Sequence, residues 1–171
     1  MSPRKSRPAE LRRVRRTSRR CSGHLIVAPL WMAFRANLGT LMRTCDAVGA
    51  CVAVLDTDFY RESLQHGDTL RSRRPCIHWI RHGRDNWIQA QRDSGWSLVA
   101  VELAEGAVPL PRLRPLDQPT VVLLGHEHQG VPDEWVAAAD VCVEIPMHGQ
   151  GASLNVAVAG SLVLYRLSGL G

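Results

Sequence analysis

The sequence predicts an α/β protein with a mostly parallel sheet flanked by helices. Short apolar runs bounded by Gly or Pro, such as 121–124 and 141–145, are typical of strands buried on both faces. These runs alternate along the chain with segments of helical periodicity, which is the pattern of parallel sheets with crossover helices. A length of 171 residues is enough for one domain with a substantial core that needs no disulfides.

The first part of the chain predicts a strand, a helix and a second strand. The runs 24–30 and 51–55 are the two strands. Asn37 stands where a helix N-cap belongs and Gly49 where a C′ glycine belongs. Arg43 lies off the apolar stripe of this helix, so its guanidinium is expected to point into a cleft. The apolar stripe has the spacing i, i+3, i+4, i+7 and consists of Leu38, Leu41, Met42 and Cys45.

The middle of the chain is less regular. Residues 56–84 show no clean periodicity, whereas 85–94 are a helix candidate that ends at Gly95. A third strand is expected at 97–103. An extended connection that cannot pair in the centre of a sheet follows, because it carries Pro109, Pro111, Pro115 and Pro119.

The last third carries two further strands and two helices. The strands at 121–124 and 141–145 enclose a short helix at 132–139. The segment 153–167 is too long for a strand and begins with Ser153 in the N-cap position. It is apolar nearly all round, so this last helix is expected to be buried.

The five cysteines, Cys21, Cys45, Cys51, Cys76 and Cys142, have no CxxC spacing. Their odd number and apolar settings indicate reduced thiols rather than disulfides or a zinc site. No apolar run approaches the roughly 20 residues of a membrane span, and no signal peptide is recognisable. The sequence therefore predicts a cytoplasmic protein without a membrane partner.

Positive charge is concentrated at the amino terminus. Residues 1–20 hold nine Lys or Arg against one acid, a balance of +8, and the rest holds twelve Arg against fifteen acids, a balance of −3. A flexible basic arm at 1–22 before one domain at 23–171 favours a polyanion such as RNA, although a merely solubilising tail remains open. A second cluster between 71 and 84 mixes Arg, His and Trp, which indicates either an RNA-contacting surface or a solvated loop. The candidate RNA-binding residues are Arg12, Arg13, Arg15, Arg16, Arg71, Arg73, Arg74 and Arg81.

Glycine-bearing loops follow the last two strands, where a parallel sheet forms its ligand crevice. Glycines such as Gly125, Gly130 and Gly149 leave main-chain groups open to close approach by a ligand. Neither a dinucleotide-binding nor a P-loop glycine pattern is present. His126, Glu127, His128 and His148 have no recognised zinc spacing, so no metal is expected there.

Three motifs carry a family resemblance. They are Asn37, Gly39 and Arg43; Leu124-Gly-x-Glu-x-x-Gly130; and Ile145-Pro-Met-x-Gly149 with Ser153-Leu-Asn-Val156. In this order and at these separations, over roughly residues 24–168, they resemble the SpoU/TrmH-like RNA ribose 2'-O-methyltransferases of the SPOUT superfamily. The resemblance implies a trefoil-knotted α/β fold, S-adenosylmethionine bound in the knot, and a homodimer.

The resemblance also implies roles for individual residues. Arg43 would act on the ribose 2'-hydroxyl; because a guanidinium carries only hydrogen-bond donors, orienting the hydroxyl is favoured over removing its proton. Asn37, Glu127, Ser153 and Asn155 complete the candidate catalytic group, although locally each is equally a cap or loop-structuring residue. The candidate cofactor-binding residues are Val101, Leu124, Gly125, Ile145, Met147, Gly149 and Leu154.

The resulting hypothesis is an S-adenosylmethionine-dependent RNA 2'-O-ribose methyltransferase, with tRNA guanosine the favoured target. Ribosomal RNA is an alternative substrate. Two different classes remain open: a non-catalytic RNA-binding protein on the same fold, and a nucleotide-binding protein of flavodoxin-like topology.

Overall fold

The computed structural model describes residue 21 and residues 23–66, 75–151 and 153–171. The basic segment 1–20 and three members of the second basic cluster, Arg71, Arg73 and Arg74, lie outside these described residues. The domain boundary expected near residue 22 therefore stays a prediction.

The described chain forms a seven-stranded sheet with the order β3-β2-β1-β6-β4-β7-β5. Every pair of neighbouring strands is parallel. This confirms the predicted α/β class with a parallel sheet. The strands are β1 Leu25–Ala28, β2 Cys51–Leu55, β3 Ile77–Ile80, β4 Ser97–Val101, β5 Val108–Pro109, β6 Thr120–Leu124 and β7 Val141–Glu144.

Within the described residues, five α-helices cover the two faces of this sheet. One core contains side chains of the first, second and fifth helices, and the other contains Ile88 of the third and Trp135 of the fourth. Alternate residues of each strand point into opposite cores; Val122, for example, lies in the first and Val121 in the second. The helices are α1 Arg35–Val48, α2 Asp58–His66, α3 Arg84–Asp93, α4 Asp133–Ala138 and α5 Val156–Leu167.

Strand β6 lies at the centre of the sheet although it comes late in the chain. It pairs with β1 on one side and with β4 on the other. Its five residues are all buried, which explains why 121–124 reads as a continuous apolar run. The trefoil knot that the family resemblance implies stays a prediction.

The expectation of five strands and of an irregular segment at 56–84 is wrong. This segment contains α2 and β3, which a periodicity search misses because both are short. The strand β3 has only four residues and lies at the edge of the sheet, and α2 buries only one face, including Tyr60 and Leu64. The proline-rich connection does pair with the sheet, through the two-residue strand β5, which lies beside β7 at the edge opposite β3. Proline is tolerated in edge strands, where its missing N–H does not interrupt the pairing.

Two predicted helix caps are also wrong. Helix α1 begins at Arg35, so Asn37 lies inside its first turn, while Gly49 does end it with φ 77°. Helix α5 is capped by Asn155 rather than Ser153, since the Asn155 side chain accepts hydrogen bonds from the amides of Ala157 and Val158. Asn37 and Asn155 are also hydrogen-bonded to each other, and Asn37 to Glu127, as described below.

The last helix is only partly buried, contrary to the expectation from its composition. Val158, Leu162 and Tyr165 on α5 are 41–44% exposed, and Leu154, just before the helix, is 39% exposed. Within the part of the chain that the structure describes, no helix has the length and apolarity of a membrane-crossing segment.

Candidate active site

A cleft of about 400 Å³ opens at the carboxyl ends of β4, β6 and β7. This is the position where open parallel sheets bind ligands. Gly149, the seventh candidate cofactor residue, is exposed and does not contribute to the lining. The other six predicted cofactor residues all line the cleft: Val101, Leu124, Gly125, Ile145, Met147 and Leu154.

The loop after β6 is folded back on itself. The amide of His126 donates to the carbonyl of Gly130 at 2.9 Å, and the Gly130 amide donates to the His126 carbonyl at 2.8 Å. A Cβ atom at Gly125 would collide with the backbone of Gly130 and Val131. The structural reason for this glycine is therefore the closure of the loop, in addition to any close approach by a ligand.

Glu102, which sequence analysis did not single out, holds the same loop from β4. Its Oε2 atom accepts from the Val131 amide at 2.8 Å and its Oε1 atom from the Leu103 amide at 3.1 Å. Gly130 has φ 72° and faces this carboxylate so closely that a Cβ atom would displace it. The sequence did contain a signal for Glu102. It lies near the carboxyl end of the predicted third strand, and the carboxyl ends of parallel strands form the ligand crevice.

Glu127 binds the start of α1 instead of pointing into solvent. Its carboxylate accepts hydrogen bonds from the amides of Ala33 at 2.9 Å and Phe34 at 3.2 Å, and from Asn37 Nδ2 at 2.6 Å. Burial alone would raise the pKa of Glu127, but these donated hydrogen bonds outweigh it and hold the pKa below its ordinary value. Glu127 is thus a carboxylate at neutral pH and links the second motif to the first.

Asn37 and Asn155 extend this link to the third motif. Asn155 Nδ2 donates to Asn37 Oδ1 at 2.9 Å, and Asn155 Oδ1 accepts from the Ala157 amide at 2.9 Å. An ionised carboxylate can only accept, so Glu127 requires the Nδ2 group of Asn37 to face it. That choice orients the Asn37 oxygen towards Asn155 and the Asn155 oxygen towards the amides of α5. The chain of hydrogen bonds has one direction from end to end.

The remaining candidate catalytic residues are Ser153 and Arg43. Ser153 is exposed and lines the cofactor cleft. Arg43 is exposed on α1 and does not line the cleft of its own chain. The next residue, Thr44, has its Oγ1 atom 2.7 Å from Ser161 Oγ of α5, so Arg43 lies beside the contact between the two helices. The catalytic roles of both residues stay predictions.

The two histidines of the loop have structural contacts of their own. His126 Nδ1 accepts from the His128 amide at 3.1 Å, and the two rings are 5.8 Å apart between centroids. The intervening Glu127 is engaged by the amides of Ala33 and Phe34 and by Asn37, and the expectation that this His-rich loop is not a metal site stays a prediction.

A second cavity of about 710 Å³ adjoins the cofactor cleft and shares His126, Gln129 and Gly130 with it. Sequence analysis missed its lining, which includes Trp31 and Arg84. The Arg84 guanidinium lies 5.5 Å from the centroid of the Trp31 ring. Their positions in the chain would have indicated this cavity, because Trp31 follows β1 and Arg84 follows β3. Both residues therefore lie at the carboxyl ends of parallel strands.

Arg81 is the candidate RNA-binding residue within the described chain. It is exposed, and its Nε atom is 3.3 Å from Asp56 Oδ2. Arg61 also pairs with Asp56 and lies 5.1 Å from the centroid of the Trp79 ring. The basic side chains here are therefore partly balanced by one acid, and an RNA-binding role for Arg81 stays a prediction.

Comparison with known proteins identifies related sequences. The model of the SpoU rRNA Methylase family matches residues 27–165. The tRNA (guanosine(18)-2'-O)-methyltransferase of Aquifex aeolicus is 33% identical over 166 residues, covering 91% of this chain and 74% of that enzyme. The 23S rRNA (guanosine(2553)-2'-O)-methyltransferase RlmP of Bacillus subtilis is 32% identical over 136 residues, covering 78% of this chain and 53% of that enzyme. The tRNA (guanosine(18)-2'-O)-methyltransferase TARBP1 of Mus musculus is 32% identical over 148 residues, 82% of this chain but only 9% of its own.

Solved structures share the fold. The AdoMet-bound rRNA methyltransferase of Sinorhizobium meliloti superposes with a TM-score of 0.70 at 31% identity, covering 85% of this chain and 56% of that one. The TrmH/SpoU tRNA-modifying enzyme of A. aeolicus gives a TM-score of 0.71 at 26% identity, covering 95% and 82%. The family match spans all three motifs that meet in the hydrogen-bonded chain from Glu127 to Asn155. The chain belongs to the SpoU rRNA Methylase family.

Proposed function

We propose that this chain is an S-adenosylmethionine-dependent RNA 2'-O-ribose methyltransferase. The observation that carries the proposal is the joining of three distant motifs through Glu127, Asn37 and Asn155, of which Glu127 lines the cleft. Relatives whose printed names describe 2'-O-methylation of tRNA or rRNA support the reaction class.

The cleft suits S-adenosylmethionine in size and in chemistry. Its volume of about 400 Å³ falls within the range of small-molecule sites. Apolar side chains such as Leu124 and Leu154 offer faces for an adenine ring, and main-chain groups after β6 and β7 offer hydrogen bonds. The cofactor supplies an electrophilic methyl group on sulfur. AdoMet-bound relatives support this assignment.

The residues of this chain would mainly position the reacting groups. Glu127 and the two asparagines hold the loop after β6 and the starts of α1 and α5 in one arrangement. Arg43 would hold the ribose 2'-hydroxyl and a neighbouring phosphate, because a planar guanidinium can bind two oxygens at once. When bound, the cofactor would give its methyl group to the 2'-oxygen and leave as S-adenosylhomocysteine, and the hydroxyl proton would pass to solvent.

RNA is the proposed macromolecular partner, and tRNA is favoured over rRNA. The names of two of the three curated relatives above describe tRNA guanosine methylation. The cavity beside the cofactor cleft combines the Trp31 ring with the Arg84 guanidinium, groups that stack on a base and pair with phosphate. Further binding by the basic segment 1–20 is consistent with its charge of +8. We also infer a cytoplasmic location.

A homodimer is the proposed assembly. The exposed side chains of Leu154, Val158, Leu162 and Tyr165 recur at intervals of three or four residues and form one apolar stripe along α5. A contiguous apolar surface of this kind marks an interaction site. Arg43 directly precedes Thr44, whose side chain contacts Ser161 of α5, so we expect this candidate catalytic residue to lie near the proposed interface.

Two measurements test the function. Thermal stabilisation by S-adenosylhomocysteine, with none by flavins or nucleoside triphosphates, is expected and separates this proposal from a flavodoxin-like protein. Ribose methylation mapped in tRNA and rRNA, from cells with and without the protein, should reveal one lost 2'-O-methyl site. Cofactor binding with unchanged methylation in both RNAs would instead indicate a non-catalytic RNA-binding protein.

A further inference from the structure

Three cysteines and one histidine come together far from the candidate active site. The sulfur atoms of Cys21, Cys51 and Cys76 and one ring nitrogen of His78 all lie within 4.8 Å of one another. Cys21 Sγ is 3.5 Å from Cys51 Sγ and 3.4 Å from His78 Nε2. His78 Nε2 is in turn 3.5 Å from Cys76 Sγ. Across residues 21, 23–66, 75–151 and 153–171, this is the one His/Cys/Asp/Glu group placed to share a metal ion.

These separations match a tetrahedral zinc site. Zinc binds thiolate sulfur at about 2.3 Å and histidine nitrogen at about 2.0–2.1 Å. In a tetrahedron these bond lengths put two sulfur atoms about 3.8 Å apart, and a sulfur and a nitrogen about 3.6 Å apart. The observed distances of 3.5, 3.4 and 3.5 Å are within a few tenths of an ångström of these values. A disulfide, by contrast, requires a sulfur–sulfur distance near ~2.05 Å, and none of the five cysteines is bridged.

We propose that Cys21, Cys51, Cys76 and His78 bind a structural zinc ion. Three thiolates and one imidazole are an established donor set for closed, structural zinc sites. Soft thiolate ligands in tetrahedral geometry select zinc over the harder Mg²⁺ and Ca²⁺. With four protein ligands, the site leaves no open position for a substrate, so its role is to hold the fold together.

The ligands lie at the amino-terminal edge of the sheet, opposite the cofactor cleft. Cys51 is the first residue of β2, and its partner strand β3 begins directly after Cys76. His78 lies in β3 and pairs in register with Ala53. Cys21 precedes β1. The ion would therefore fasten the short edge strand β3 to the sheet, and would anchor the chain at the point where the basic segment 1–20 ends.

Spacing along the sequence does not reveal this group. The interpretation of the five cysteines as thiols without a metal rested on the absence of a CxxC pair. Zinc ligands need short fixed spacings only when one small loop supplies them. Here two neighbouring strands bring Cys51 close to Cys76 and His78, and Cys21 arrives from 30 residues away along the chain.

The test measures metal content of the full chain, expressed with zinc and purified without chelator. About one zinc per chain is expected by elemental analysis. Cys21→Ser is the informative variant, because Cys21 is exposed and lies outside every strand, so the domain should still fold. Removal of a group that only hydrogen-bonds to a metal ligand lowers metal affinity by roughly 10–100-fold. Cys21→Ser removes a ligand itself, so its zinc affinity should fall by more than this. Cys142→Ser, which changes a half-exposed cysteine outside the group, is the matched control and should keep its zinc.

Two further readouts separate zinc binding from general damage. Cobalt(II) should give the absorption of a tetrahedral thiolate complex in the wild type, weakened in Cys21→Ser and unchanged in Cys142→Ser. Chelation should lower the wild-type Tm by on the order of 10 °C and leave the Tm of Cys21→Ser unchanged.

Equal zinc affinity in the wild type and in Cys21→Ser would overturn the proposal, as would a folded, reduced wild type that takes up no zinc. A disulfide among Cys21, Cys51 and Cys76 in the isolated protein would overturn it as well. Iron in place of zinc, lost in the same variant, would overturn the identity of the ion.

Discussion

Replacing Asn155 tests whether the three motifs are joined as the structure shows. Asn155→Ala removes the side chain that caps α5, a loss of about 1 kcal/mol. It also leaves Asn37 Oδ1, in a side chain only 6% exposed, without its donor. An unsatisfied buried acceptor costs about 1–3 kcal/mol, and the lower half of that range applies because Asn155 itself is exposed to water. The expected loss of unfolding free energy is therefore about 2–3 kcal/mol.

Two matched variants separate the contributions. Asn155→Asp keeps the cap, since Asp is an equally good N-cap residue, but it turns a carboxylate oxygen towards Asn37 Oδ1. It should lose about 1–2 kcal/mol. Asn37 cannot rotate to relieve this contact, because its oxygen would then face the Glu127 carboxylate. Ser153→Ala changes the residue that the sequence predicts as the cap, and as an exposed side chain it should cost under about 0.5 kcal/mol.

Urea denaturation at one fixed protein concentration provides the measurement, because a dimer would make stability concentration-dependent. With slopes of ~1–3 kcal/mol per molar urea, Asn155→Ala should lower the midpoint by about 0.7 M or more. A Ser153→Ala variant as unstable as Asn155→Ala would refute the assigned cap. An Asn155→Asp variant as stable as the wild type would refute the directional chain through Asn37.

Three further predictions concern catalysis, acid stability and assembly. Arg43→Ala should slow single-turnover methylation at saturating RNA and cofactor by on the order of 10²-fold, and Arg43→Lys should not restore it; near-normal turnover would make Arg43 only a binding or surface residue. The lowered pKa of Glu127 means that its stabilising contribution is present above its unfolded pKa of about 4.3 and is lost as pH falls through the folded value. The stability difference between the wild type and Glu127→Gln should therefore shrink in acid, and a difference that stays constant down to about pH 3 would contradict this. Leu162→Glu should convert the proposed dimer to a monomer in light scattering, whereas Leu103→Glu, at a 76% exposed site outside the apolar stripe of α5, should not; a dimer in both variants would place the interface elsewhere.

The sequence determined the α/β class, the parallel sheet and the three motifs. These features are readable because they are local: buried strands such as 121–124 are continuous apolar runs, and each motif follows such a run or opens a helix. Six of the residues that line the cleft were predicted by resemblance to bind the cofactor, and their meeting at one edge follows from parallel strands.

Only the tertiary structure decided which polar atoms meet. Asn37 looks like a helix cap from its neighbours, but the helix begins two residues earlier, and its amide lies between Glu127 and Asn155 from motifs 90 and 118 residues away. Likewise, Cys21, Cys51, Cys76 and His78 carry no spacing signal and are brought together by the pairing of β2 with β3. The physical reason is the same in both cases. Periodicity and capping rules describe interactions within a few residues, whereas a hydrogen bond or a metal ligand set depends on a separation in space that the order of strands creates.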